Sequence, residues 1–295
     1  MSHAPFLARL DQNRVIVVWF AGSREWAKDV RLLSAVYHPQ TGQWESIQEF
    51  VSDIGYSLGN SVFQMDGSGQ FHLWYVRTKG YWHEGEIVHM IWRDLKGAFI
   101  SKKIVPLESG WLVRGRPAVR GNIAYLPVYH ELTSECAIWE QKLSSGEGRL
   151  LSSMTAPGGL IHPALVAPGG DEFRCLMRNL HAPHRIHLAY SMDRGETWSR
   201  PFPTSLPNPN SGLDVVLLDG NRMVCVYNDS PTNRTPLSLG VSLNGGVEWR
   251  KIGDLESLPG EYSYPSLLRD QFGVHVAYTY KREAIKIITL NPELF

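Results

Sequence analysis

A spacing of about fifty residues runs through the chain from end to end. Six short apolar or alternating segments share it: 15–20 (VIVVWF), 71–76 (FHLWYV), 123–129 (IAYLPVY), 173–179 (FRCLMRN), 222–228 (RMVCVYN) and 274–280 (VHVAYTY). Their starts lie 56, 52, 50, 49 and 52 residues apart, and each follows a turn signal such as DQN, GSGQ, GGDE or LDGN. Runs rich in Val, Tyr and Phe, bounded by Gly, Asp and Asn, read as strands. Helical periodicity is nearly absent, and only residues 23–28 read as a turn of helix. A small sheet cannot bury both of its faces alone, so repeated sheets stack around an axis and shield one another. The register therefore predicts an all-β fold, a six-bladed β-propeller in one domain over 1–295. The expected blades span approximately 5–52, 53–107, 108–153, 154–205, 206–257 and 258–295. The last repeat is short and ends in AIKIITL, so the N-terminal strand is expected to complete its sheet and close the ring.

Two loops repeat closely. Ser191, Asp193, Gly195 and Trp198 recur as Ser242, Asn244, Gly246 and Trp249, each after 51 residues, and a weaker copy runs from His38 to Trp44. Their chemistry is structural. The Asp or Asn bonds the backbone of its own turn, the glycine supplies a positive φ, and the tryptophan packs against neighbouring sheets.

Composition narrows the function. With 29 basic and 29 acidic side chains the net charge is zero, which argues against nucleic acid or an anionic membrane as partner. Three cysteines (Cys136, Cys175, Cys225) form neither a disulfide framework nor a metal motif. His181, His184 and His187 are spaced so that neighbours point to opposite sides of an extended chain, so no metal site and no cofactor are expected. No secretory leader is visible, and the longest apolar run, 15–22, falls far short of the ~20 residues that span a bilayer as a helix. A cytoplasmic protein with a small-molecule or terminal-sugar ligand is the expectation, its oligomeric state left open.

The repeated loops resemble the Asp-boxes of the sialidase (neuraminidase) superfamily. The blocks WFAGSREWAKDV, VRGRPAV, IHPALV, LPNPNSGLDVVLLDG, VYNDSPTNRTPL and GEYSYPSLL resemble successive blocks of bacterial BNR-repeat proteins, in order and over nearly the whole chain. The resemblance implies a six-bladed propeller and an exo-acting glycoside hydrolase working on a terminal acidic sugar. It implies that Arg178 and Arg234, with Arg116 as a looser match, clamp a carboxylate. It implies an acid/base carboxylate in the connection holding Glu25 and Asp29, with Asp29 the better match. A tyrosine nucleophile is implied at Tyr264, in the cluster Glu261, Tyr262, Ser263, Tyr264. Arg282 also falls on a family-like position.

Two positions depart from the family pattern. The opening Arg-Ile-Pro is replaced by His3, Ala4 and Pro5, and His162 stands where a glutamate that activates the tyrosine is expected. Either His162 or Glu261 is then the base. Asn208, Asn210, Asp214 and Asn228 are short polar side chains around tight turns, suited to fixing sugar hydroxyls. The departures leave two alternatives: an enzyme of this fold recruited to cyclise or rearrange a small biosynthetic intermediate, or a non-catalytic glycan-binding propeller.

Overall fold

The computed structural model describes residues 1–295 apart from Asp94, Lys96 and Ala98. Among the described residues, six antiparallel sheets follow one another along the chain as the blades of a propeller. Blade I comprises Ser2–Arg9, Val15–Ala21 and Arg31–His38, the last pairing with both Gln43–Trp44 and Gln48–Val51. Blade II comprises Ser57–Met65, Phe71–Thr78, Glu86–Trp92 and Ser101–Ile104; blade III comprises Trp111–Val113 with Ala118–Arg120, then Ile123–His130, Glu135–Lys142 and Gly148–Leu150. Blade IV comprises Leu160–Gly169, Glu172–Asn179, Arg185–Ser191 and Phe202–Pro207; blade V comprises Asp214–Asp219, Arg222–Asn228, Leu237–Ser242 and Arg250–Glu256. Blade VI has three strands, Tyr262–Asp270, Gly273–Tyr280 and Ala284–Leu290.

Every fifty-residue segment is the second strand of its blade. These strands are covered by adjacent blades on both faces, which is why they read as nearly unbroken apolar runs rather than alternating ones. One core cluster runs through blades I to IV, and smaller ones fill the seams between IV and V, V and VI, and VI and I.

Two expectations are corrected. The N-terminal strand does not complete the last sheet: Ser2–Arg9 pairs with Val15–Ala21 in its own hairpin. The tight turn at Asp11, whose Oδ1 accepts from the N–H groups of Asn13 and Arg14, makes that pairing local, and closing a short loop costs far less entropy than closing one that spans the chain. The strand still seals the ring, but through side-to-side bonds to blade VI: Ser2 N–H to Arg282 O, Ala4 N–H to Thr279 Oγ1 and Leu7 N–H to Ser266 Oγ. Residues 23–28 form successive turns rather than a helix, with Trp26 at φ 65°. Among the described residues the helical segments are two single 3₁₀ turns, Trp82–Glu84 and Pro292–Leu294, and no helix is long and apolar enough to cross a membrane.

The repeated loops behave as the sequence predicts. Ser191 Oγ accepts from Gly195 N–H at 2.7 Å and Asp193 Oδ1 accepts from Thr197 N–H at 2.9 Å; Ser242 and Asn244 repeat both bonds with Gly246 and Glu248 at 2.8 and 2.9 Å. Gly195 and Gly246 have φ of 92° and 95°, and Trp198 and Trp249 pack against the blade cores.

A buried polar chain ties blade II to blade III. Trp74 Nε1 donates to Gln141 Oε1 (2.7 Å), and the Gln141 amide donates to His89 Nδ1 (3.2 Å). That assignment makes His89 Nε2–H the donor to His72 Nδ1 (3.0 Å) and His72 Nε2–H the donor to Asp66 Oδ2 (3.3 Å). Both histidines are thereby neutral. Burial lowers both, and His89, facing His72 and Lys103, is lowered to about 3. A histidine with a depressed folded pKa adds stability above its unfolded pKa of about 6.5 and loses it as the pH falls from there toward the folded value. Stability is expected to drop steeply between pH 6.5 and 5, where carboxylates of ordinary pKa do not yet titrate. In urea titrations across that interval, His89→Gln should flatten the slope by up to about 1.4 kcal/mol per pH unit; identical slopes would remove His89 from the account.

Candidate active site

The inner strands carry a repeated defect. Their register breaks between His3 and Phe6, Leu58 and Ser61, Ile161 and Ala164, and Ser263 and Ser266, while in blade III the strand is interrupted outright between Val113 and Ala118. Bulges re-aim side chains and cluster at functional rims. Here Ala4, His162 and Tyr264 take left-handed conformations, with φ of 51°, 51° and 52°, and each precedes a proline. Backbone of this kind persists only where the surrounding fold holds it. His3, Asn60, His162 and Tyr264 are thus turned toward one end of the propeller axis, where a cavity of about 280 Å³ opens. Its wall also includes Glu25, Trp82, Tyr129, Glu131, Asn210, and the arginines Arg178, Arg234 and Arg282.

Arg178, at the end of the second strand of blade IV, organises the floor. Its Nε donates to Asn210 Oδ1 (2.7 Å), and its Nη1 donates both to the Tyr264 hydroxyl and to His162 Nδ1, each at 3.2 Å. Among the described residues no carboxylate pairs with it, although it is only 7% exposed. A buried guanidinium with neutral partners alone is costly unless an anion arrives.

The other two arginines are neutralised in a chain. Arg282 bridges Glu25 (2.5 Å) and Glu261 (2.8 Å), and Arg234 bonds Glu261 (2.7 Å). Burial pushes the Glu261 carboxyl up, but the hydrogen bond from Arg282 and the charges of Arg234 and Arg282 outweigh it and hold it at about 2. Glu261 is therefore a carboxylate committed to its two arginines.

Two histidines flank the Tyr264 ring, His3 at 4.4 Å and His162 at 5.3 Å between ring centroids. Burial, reinforced by nearby arginines, pulls both far below the ordinary histidine value, so both are neutral. The 3.8 Å approach of His3 to Glu25 is accordingly a polar contact rather than an ion pair. Among the described residues neither ring nitrogen of His3 has a hydrogen-bond partner.

Of the residues singled out from the sequence, His3, Glu25, His162, Arg178, Asn210, Arg234, Tyr264 and Arg282 line this cavity, and Glu261 backs it through its arginines. Five others serve the scaffold instead. Arg116 is half-buried, its Nη2 donating to Leu7 O (2.5 Å) and Leu267 O (3.0 Å) and its guanidinium lying 4.6 Å from the Phe6 ring centroid. The Asp214 carboxylate accepts from the N–H groups of Leu267 and Val215. Asn208 closes its own loop onto Ser211, and Asn228 bonds Ser211, Pro236 O and Tyr262 O. Tyr262 is fully buried in the blade VI core against Tyr280.

Asp29 also lies apart. It is exposed, takes the N–H and hydroxyl of Ser23 at 2.9 Å each, and those bonds hold its carboxyl below the ordinary range. The successive turns of the connection place Glu25 on the cavity side and Asp29 on the outer side.

Four contributors escaped the sequence reading: Arg114, Asn60, Trp82 and Glu131. Arg114 spans the axis to Tyr264 O and Pro265 O, so it and Arg116 satisfy carbonyls near the strand breaks. Asn60 lies in the blade II bulge, at the position Pro163 takes in blade IV. Glu131 sits eight residues into its repeat, as Arg282 does in the last one, so the fifty-residue register contained its signal.

A sheet propeller whose inner-strand bulges and second-strand ends converge on an arginine-rich pocket defines a class, and the comparisons agree with it. The BNR repeat-like domain matches residues 13–276, and the chain belongs to that family. Among solved structures, the Hadza microbial sialidase Hz136 superposes with a TM-score of 0.82 at 13% identity, over 99% of this chain and 66% of that one. The NanB sialidase of Streptococcus pneumoniae superposes with a TM-score of 0.83 at 12% identity, over 100% of this chain and 69% of that one. The intramolecular trans-sialidase of Ruminococcus gnavus gives 0.79 at 11% identity, over 100% and 95%. No curated protein matches the sequence. At these identities the likeness establishes the sialidase propeller fold.

Proposed function

We propose that the cavity is the active site of a sialidase-type glycosidase that removes one terminal acidic sugar. The observation that carries this reading is the convergence of the Tyr264 hydroxyl, the buried and carboxylate-free Arg178, and Arg234 in one pocket. A cavity near 280 Å³ lies at the small end of ligand sites, which suits a single sugar better than a chain. Arg178 takes the substrate carboxylate, with Arg234 and the unpartnered His3 beside it. Tyr264 Oη attacks the anomeric carbon, and Arg178, already bonded to that oxygen, steadies the charge that develops on it. The phenolic proton passes to His162 Nδ1, which gives up its bond from Arg178 Nη1 as it takes that proton. Water then releases the sugar and the proton returns to Tyr264.

The test is a panel of aryl glycosides of acidic sugars, scored for released phenol, with one neutral sugar as control. Turnover confined to carboxylate-bearing sugars supports the reading; turnover of the neutral sugar alone would overturn it. The replacement of an arginine and a glutamate by His3 and His162 favours a second reading, in which the same pocket rearranges its substrate without water. NMR of the product separates the two, since only hydrolysis incorporates oxygen from solvent. Binding without turnover would mark a glycan-binding propeller.

A further inference from the structure

We propose that Glu131 is the carboxyl that protonates the departing oxygen, in place of one from the connection before the third strand of blade I. This assignment rests on the retaining, tyrosine-based reading above. Such a reaction needs one carboxyl in the cavity that still holds a proton when the sugar binds. Three candidates are already committed. Asp29 is outside the cavity and capped by Ser23. Glu25 is bound to Arg282 at 2.5 Å, and Glu261 lies between Arg234 and Arg282. Both are engaged in ion pairs, and the two arginines hold Glu261 as a carboxylate.

Glu131 differs in each respect. It follows the second strand of blade III directly, with its N–H fixed to Gly110 O at 2.9 Å, and it lines the cavity. Among the described residues its carboxyl has no hydrogen-bond donor and no ion-pair partner. The groups facing it are His83 from the 3₁₀ turn of blade II, His130 on its own strand and Arg178 from blade IV. Burial pushes its carboxyl above the ordinary glutamate value and outweighs those three positive or ionisable neighbours. Of the carboxyl and guanidinium groups described in the wall, Glu131 and Arg178 are then the two without an ion-pair partner.

In the first step the bond from Tyr264 Oη to the anomeric carbon forms as the bond to the leaving oxygen breaks. Its electron pair stays on that oxygen, which takes the Glu131 proton; the phenolic proton goes to His162. In the second step water attacks the anomeric carbon, the Glu131 carboxylate takes the water proton, and the tyrosinate recovers its own from His162. One glycoside and one water thus give one free sugar and one alcohol.

The experiment compares two glycosides of the same acidic sugar, one with a dinitrophenyl and one with an alkyl leaving group, on wild type, Glu131→Gln and Glu25→Gln. Nitrophenolates depart without a proton and alkoxides do not, so Glu131→Gln should raise the dinitrophenyl-to-alkyl rate ratio by about 10²-fold or more. Glu131→Ala should recover turnover of the alkyl glycoside when formate is added, a readout that a structural role would not move. An unchanged ratio in Glu131→Gln, or a rise confined to Glu25→Gln, overturns the assignment while leaving the tyrosine reading in place. A wild type that releases neither leaving group overturns that reading and this assignment together.

Discussion

Replacing Tyr264 by phenylalanine is expected to abolish turnover, lowering kcat/KM by at least about 10³-fold, because among the described residues Arg178 holds no other hydroxyl. The fold should hardly notice. The ring keeps its contacts with His3 and His162, the positive-φ backbone is unchanged, and the structure loses one hydrogen bond, worth about 1 kcal/mol. The informative comparison is therefore rate against unfolding midpoint for the same preparation. A variant that retains full activity, or one that loses activity only because it unfolds, would remove Tyr264 from the mechanism.

The second large effect is expected at Arg178. Arg178→Met should weaken kcat/KM for a carboxylate-bearing substrate by about 10²-fold or more, the scale of losing one preorganised charged donor. Its effect on stability should be small. The wild-type guanidinium is buried without a carboxylate, so its removal relieves a desolvated cation, and that relief offsets the bonds lost to Asn210, His162 and the Tyr264 hydroxyl. Arg174 provides the contrast. It is also buried, but it is paired with Glu172 and bonded to Asn221, so Arg174→Met leaves a partner charge stranded and should destabilise without touching the site. Equal losses of stability in the two variants, measured by thermal unfolding, would contradict the view that Arg178 is kept uncompensated for an anion.

The fold was legible because the second strands are buried on both faces, and twofold burial writes itself as apolar runs that recur with each blade. The repeated loops at Ser191 and Ser242 were legible for a related reason: their bonds are local, so the residues that make them stand at fixed offsets. The site was legible where a backbone irregularity leaves a trace in sequence. His162 and Tyr264 each stand before a proline, and those steps mark the bulges. It was not legible where facing depends on a turn. Glu25 and Asp29 occupy one connection, and only the left-handed Trp26 and the turns around it decide which carboxylate enters the cavity. Arg116 misled for a similar reason. An Arg-Gly-Arg interruption of an inner strand offers both guanidinium groups to backbone carbonyls across the axis, a demand that no local pattern announces. Glu131 stood at the same offset in its repeat as Arg282, but nothing beyond that offset sets it apart until its lack of a partner is seen.

The central claim is that Tyr264 forms a bond to the sugar. A 2,3-difluoro acidic sugar accumulates such an intermediate if one exists. Incubation of this protein with that reagent, followed by intact-mass measurement and peptide mapping, is expected to show one added sugar on the peptide containing Tyr264, absent in Tyr264→Phe. An adduct on another residue, or turnover of the natural-type glycoside with no adduct at any time point, would contradict the account.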